Sequence, residues 1–134
     1  MISGRQARAV IDAGEAKAAE LGVPVNIAVL DAGAHLKAFS RMDGAVLGSI
    51  DIALKKAKTA ALFGVNSELV WEYCKPGAPA PGLQLTNGML ATFAGGIPLR
   101  SSGGDVLGAV GVSGGEVAVD FEIARAAVGA LSEL

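Results

Sequence analysis

The run "VLGAVGVSGGEVAVDFEIARAA", residues 106–127, places a glycine at every third position, Gly108, Gly111 and Gly114, before an acidic, alanine-rich segment. Glycine inside a strand removes the side chains that hold neighbours apart, so such a strand must have another element pressed closely against it. A strand that empties through glycines into a helix is also the outline of a phosphate cradle, in which free backbone N–H groups meet an anion. The spacing here is neither G-x-G-x-x-G nor a Walker A loop, and no lysine follows the glycines. Glu116 and Asp120 already set two negative charges at the helix start. A nucleotide site is therefore disfavoured. Two readings stay open: the amides near Ser113 and Gly114 face a smaller anionic ligand, or Ser113 and Asp120 satisfy those donors within the chain.

Small residues dominate beyond this stretch. Of 134 residues, 51% are apolar but only 4% aromatic, with 19 glycines, so Ala, Val, Leu and Ile must build the core. The length suits a single domain spanning 1–134. Cores made of small side chains often complete their burial by self-association, so a homo-oligomer is expected.

The order of elements follows from hydrophobic period and punctuation. Ser3 and Gln6 have capping-box spacing, and Val10, Ile11, Gly14, Ala18 and Leu21 recur at helical intervals until Gly22 and Pro24. This predicts a helix over about 3–21. "VPVNIAVL" and "HLKAFSR" alternate around the turn "DAGA", which predicts a hairpin. Ser49 is placed to cap a second helix ending at Gly64, and Asn66-Ser67 opens a short one carrying Trp71 and Tyr73. "KPGAPAPG" reads as a surface loop. About three strands are expected between Leu83 and Ser113, then a last helix over about 117–131. No βαβ repeat occurs, so an antiparallel sheet with packed helices fits better than a doubly wound nucleotide fold.

Charge and cysteine content exclude several functions. The net charge is −2 with scattered Lys and Arg, which offers no basic face for nucleic acid. No run of eighteen apolar residues can span a membrane, and no apolar leader precedes the first helix, so a cytoplasmic protein is expected. Cys74 is the one cysteine, which rules out an internal disulfide.

The candidate site residues are few. His35 is the only histidine; it cannot build a metal site from protein ligands alone, but a haem needs only one or two axial ligands. The alternative is a turn-flanking surface histidine. In "RMDG", Arg41 could clamp a carboxylate bidentately with Asp43 as orienter or base, or both could belong to an Asp-Gly turn. "KKAKTAALF" carries Lys55, Lys56 and Lys58 on one helix. Such a run ordinarily lines a solvated face, whereas a buried lysine could enter acid–base chemistry. Gly95 and Gly96 precede a strand where only backbone lines the space, in a ligand pocket or a tight bend.

The ordered segments "VLDAGAHLKAFSRMDGA", "ALKKAKTAALF", "PGLQLTNG", "GGIPL", "GAVGVSGG" and "DFEIA" together resemble the GlcG/HbpS-like family, also met as the C-terminal domain of PduO-type proteins and labelled a haem-degrading domain. The resemblance covers nearly the whole chain. It implies an α+β, profilin-like three-layer α/β/α domain with a five-stranded antiparallel sheet flanked by helices. It also implies dimers that assemble further, up to octamers, and haem as a possible cofactor. The family pattern falls on Asp31, Gly33, Arg41, Asp43, Lys56, Gly95, Gly96, Ser113, Gly114 and Asp120 among others. Where relatives carry a polar run after Ser113-Gly114, this chain has "GEVAVDFE".

These observations lead to one principal expectation: a small oligomeric protein that binds or degrades haem, with His35 as iron ligand and Ser113, Gly114, Gly95 and Gly96 lining the ligand. The alternatives are a cofactor-independent enzyme on a small hydroxy- or oxo-acid, using Arg41, Asp43 and Lys56, and a structural accessory subunit.

Overall fold

The computed structural model describes residues 1–133. Ser3 begins the first helix as expected: its hydroxyl accepts from Gln6 N–H while the Gln6 side chain accepts from Ser3 N–H. Helix α1 (Gly4–Leu21) ends at Gly22, whose φ of 70° lets the chain turn without a Cβ clash. Strands β1 (Asn26–Asp31) and β2 (Leu36–Arg41) form the hairpin. Helices α2 (Ser49–Phe63) and α3 (Ser67–Cys74) follow, then β3 (Gly96–Arg100), β4 (Val106–Ser113) and α4 (Val117–Gly129). A tighter 3-10 turn, Ala130–Glu133, closes the described chain.

Sheet order is β2-β1-β4-β3, antiparallel throughout. Four strands replace the five expected. The missing strand fails between Gly82 and Met89, where Gly82, Asn87, Gly88 and Met89 all take positive φ. Leu83–Leu85 coils into a 3-10 turn, and Leu90 N–H returns to Gln84 O, so the segment folds on itself rather than pairing with the sheet. A second expectation also changes. Ser49 is the first residue of α2, not its cap; Gly48 caps it with no side-chain hydrogen bond.

The two sheet faces are packed differently. On one, α1 and α4 bury Val10, Ile27, Val29, Leu99, Val110, Val112 and Ile123 in one large apolar cluster. Each such side chain stabilises the fold by about 1.5–3 kcal/mol when removed from water. On the other, α2 lies almost backbone to backbone on the strands. A β-carbon on Gly111 would stand 2.0 Å from Ala53 O, and one on Gly96 would stand 2.2 Å from Lys56 O. The alanines at 53, 57 and 60 are fully buried along this contact. The glycine spacing of β4 thus serves close helix approach at Gly111.

Strand β3 forms one edge of the sheet, and its free side is blunted. Gly96 N–H turns outward to Ser67 Oγ at 3.0 Å. Pro98, two residues on and so oriented the same way, has no N–H to offer another chain.

Candidate functional site

The close approach of α2 carries one lysine of the run into the interior. Lys56 is fully buried, while Lys55 and Lys58 remain at the surface and pair with Asp51 and Asn87 O. Its Nζ donates to Val112 O at 2.8 Å and to Asp120 Oδ2 at 3.2 Å. The Phe93 ring covers it, with its centroid 5.0 Å from Nζ, inside cation–π range. Gly95 makes the room: a β-carbon there would lie 2.7 Å from Nζ. Asp120 is also buried, and its other oxygen accepts from Gly115 N–H at 2.9 Å. Burial pushes the Lys56 ammonium below its ordinary 10.5, opposed by the Asp120 charge. Burial likewise raises Asp120 above its ordinary 3.8, opposed by Gly115 N–H and Lys56. In both groups the cost of leaving water exceeds what the partner returns.

Gly95, Gly96, Ser113 and Gly114 gather around this pair. Val112 N–H donates to Gly95 O at 2.9 Å, and Gly114 has a φ of 153°, where a β-carbon would stand 2.8 Å from Pro24 O. The turn amide at Gly115 is used by Asp120. For Asp120 that is the second of the two readings of the glycine turn, an acid of the chain holding its own backbone donor; Ser113 Oγ takes no backbone donor among the described residues.

Arg41 and Asp43 stand at the same end of the sheet but in solvent. Arg41 pairs across the strands with Asn26, and Asn26 with Ser113, so the three occupy one row on the face toward α2. Asn26 is fully buried; its amide donates to Val46 O at 3.1 Å, and its Oδ1 is enclosed without a donor among the described residues. Val46 lies in the loop that enters α2, so Asn26 braces that loop.

His35 lies at the other end of the hairpin, separated from Arg41 by the length of β2, about 17 Å. Asp31 shapes this tip. Its Oδ1 accepts from Gly33 N–H at 2.9 Å and His35 N–H at 3.0 Å, and stands 3.3 Å from His35 Nδ1. These contacts, the His35 N–H first, hold the Asp31 carboxyl below its ordinary 3.8. The imidazole is 79% exposed, which leaves Nε2 on the open side of the ring.

The structure therefore divides the expected site. Lys56, Gly95, Gly96, Ser113 and Gly114 meet in the interior; Arg41 and Asp43 stand outside the same end; His35 is remote from all of them. Sequence reasoning set Asp120 at the glycine turn but did not join it to Lys56, and it did not place Phe93 or Asn26 in the site. An acid in the first turn after a double glycine was the available signal for Asp120. Nothing in the local pattern tied Phe93 to Lys56, 37 positions away.

A family profile described as haem degrading protein HbpS-like matches residues 2–129. An uncharacterised 15.0 kDa protein encoded between dhaT and dhaS in Citrobacter freundii is 43% identical over 129 residues, 96% of this chain and 90% of its own length. The crystal structure of Klebsiella pneumoniae protein ORFY superposes with a TM-score of 0.95 at 37% identity, covering 99% of this chain and 92% of that one. A crystallised PduOC–haem complex superposes at 0.90 with 33% identity, covering 96% and 94%.

Proposed function

We propose, on the premise that this chain belongs to the HbpS-like family of haem-degrading proteins, that it binds haem with His35 as the iron ligand. The observation that carries this reading is the pairing of Asp31 with His35 Nδ1 at 3.3 Å beside an exposed ring. A metal-binding imidazole commonly gives its second nitrogen to a carboxylate, which fixes ring orientation and raises ligand basicity. Asp31 is already fixed by two backbone N–H groups, so it is ionised and in position before any ligand arrives. The exposed Leu36 and Lys37 beside it offer the apolar and cationic contacts that a macrocycle and its propionates require. The likeness to a relative crystallised with haem supports the same reading.

Bound haem would supply the redox chemistry of its iron. The chain's own part is to present His35 Nε2, to keep the proton of Nδ1 on the Asp31 side and to hold the ring still. Hemin titrated into the purified protein is expected to give a saturable Soret shift. His35→Ala should weaken binding at least tenfold, and Asp31→Asn should weaken it by about 10-fold or more through the loss of orientation. A featureless titration, or one unchanged in His35→Ala, contradicts the assignment.

A second reading rests on the row Arg41–Asn26–Ser113 and the donorless Asn26 Oδ1. A small hydroxy- or oxo-acid could place its carboxylate on Arg41. Lys56 is poorly suited to proton transfer there, since its ammonium is closed off by Phe93, Val112 O and Asp120. An acid substrate turned over by the wild type and not by a folded Arg41→Ala variant would favour this reading.

A further inference from the structure

The sheet ends at β3, and a cleft opens there between α4 and the entrance to α3. Its volume is about 310 Å³, at the lower end of the roughly 300–1,000 Å³ of small-molecule sites. Helix α4 forms one wall. Phe121, Arg125, Val128 and Gly129 follow one another at intervals of four, three and one, so they share a helix face. Ile97 of β3 and Asn66, the residue before α3, complete the lining.

The two polar side chains of this cleft are uncommitted. Arg125 is exposed and forms no ion pair or hydrogen bond among the described residues. Glu122, the acid three positions before it, is drawn instead to Lys17 on α1, at 3.6 Å. Asn66 occupies the N-cap of α3, where an asparagine side chain ordinarily accepts from the first helical amides, yet it makes no such bond. A guanidinium and a carboxamide therefore border a space whose remaining side chains are apolar.

Gly129 adds an independent sign of an occupant. Glycine weakens a helix relative to alanine, so a helical glycine ordinarily answers a packing need. Gly14 in α1 does so, since its β-carbon would stand 2.8 Å from Ile27 Cδ1. A β-carbon on Gly129 would meet nothing within 4 Å, and its φ is not positive. No contact in the described chain requires this glycine. Its effect is to leave the cleft wide.

We propose that this cleft binds a small carboxylate that carries an apolar, ring-sized group. The carboxylate meets the Arg125 guanidinium through two parallel N–H···O bonds, and the Asn66 amide donates to the same end. The ring lies against Phe121, Ile97 and Val128, where its burial removes apolar surface from water. The hairpin of β2 and this cleft lie at opposite edges of the sheet, so the site stands apart from His35 and from haem.

Phenylacetate titrated into the isotope-labelled protein tests this by amide NMR. Saturable shifts are expected at Asn66, Ile97, Phe121, Arg125, Val128 and Gly129, and none at residues 31–37. Arg125→Gln, at an exposed position, should weaken binding about tenfold or more through loss of the charged pair. Gly129→Leu should fill the cleft and abolish the shifts, with an unchanged circular dichroism spectrum. Phenylacetamide, which lacks the charge, and acetate, which lacks the ring, should each bind about tenfold or more weakly than phenylacetate. No saturable shift at tens of millimolar phenylacetate overturns the proposal. So do shifts that persist unchanged in folded Arg125→Gln or Gly129→Leu, and so does acetate binding as tightly as phenylacetate, which would make Arg125 an ordinary surface charge. Should Gly129→Leu fail to fold, the wild type and Arg125→Gln decide between them.

Discussion

Two aspartates at opposite ends of one sheet each face a nitrogen base, and they behave in opposite ways. Asp31 sits at the hairpin tip, bound by two turn amides beside an exposed imidazole. Asp120 sits beneath α2, bound by one turn amide and a buried ammonium. Backbone donors in contact with water lower the first carboxyl below 3.8; loss of water raises the second above it. The difference separates two uses of the same chemistry. An exposed pair is cheap to ionise, and its open nitrogen can take a ligand. A buried pair spends its polar capacity on holding elements together: Lys56 on α2 is joined to Val112 on β4 and Asp120 on α4. The buried lysine, which looks like the more reactive group, joins three elements of the fold.

The largest expected effects test this division on stability. Lys56→Met leaves Asp120 charged and buried with only one donor, and should cost about 3–5 kcal/mol in denaturant unfolding. Adding Asp120→Asn should recover part of that loss, because the double variant buries no charge. His35→Ala should change stability by no more than about 0.5 kcal/mol. A Lys56→Met variant as stable as wild type would erase the contrast.

Glycine substitutions sharpen the same comparison at a smaller scale. Gly96→Ala drives a β-carbon against Lys56 O on rigid helix backbone, at 2.2 Å, and should cost about 3 kcal/mol. Gly33→Ala meets the His35 ring at 2.9 Å, a side chain free to swing away. Unfolding should hardly notice it, yet hemin affinity should fall several-fold because the displaced ring leaves Asp31. Parallel unfolding curves and hemin titrations of the two variants check both statements.

The smallest effects are in the pH dependence. Asp31, lowered in the fold, contributes stability that is present above 3.8 and is lost as pH falls through its folded value. Asp120, raised in the fold, holds more protons folded than unfolded between 3.8 and its folded value, so its contribution grows as pH falls through that window. Lys56, held below 10.5, makes the unfolded chain the better proton binder, so stability rises with pH from its folded value toward 10.5. Carboxyl carbon NMR titration should find Asp31 titrating below 3.8 and Asp120 above it. The reverse order would overturn the assignment of roles.

Local structure was legible wherever a local rule set it. The Ser3–Gln6 capping box, the glycine stop at Gly22 and the turn after Asp31 were read from adjacent residues, and they stand in the fold. The fifth strand was not legible as absent. "LQLTNGMLATF" is ambiguous as a pattern; "TNG" marks the turn that Asn87 and Gly88 make at positive φ, but the "MLATF" after it joins no strand. The lysine run was legible in part. Helical spacing sets Lys56 on the face of Ala53, Ala57 and Ala60 and leaves Lys55 and Lys58 off it, while the gap at Gly95 and Gly96 gives its ammonium room. Its partner Asp120 is 64 residues away. The candidate haem set, His35 with Gly95, Gly96, Ser113 and Gly114, merged two ends of a sheet that β1 holds a full strand apart.

The central claim is that ligand chemistry belongs to the hairpin tip and not to the glycine end. Amide chemical-shift mapping with the diamagnetic analogue gallium protoporphyrin tests it most directly. The account predicts saturable perturbations concentrated in residues 31–37, lost in His35→Ala. Perturbations centred instead on residues 95–96 and 113–115, and unaffected by His35→Ala, would contradict it.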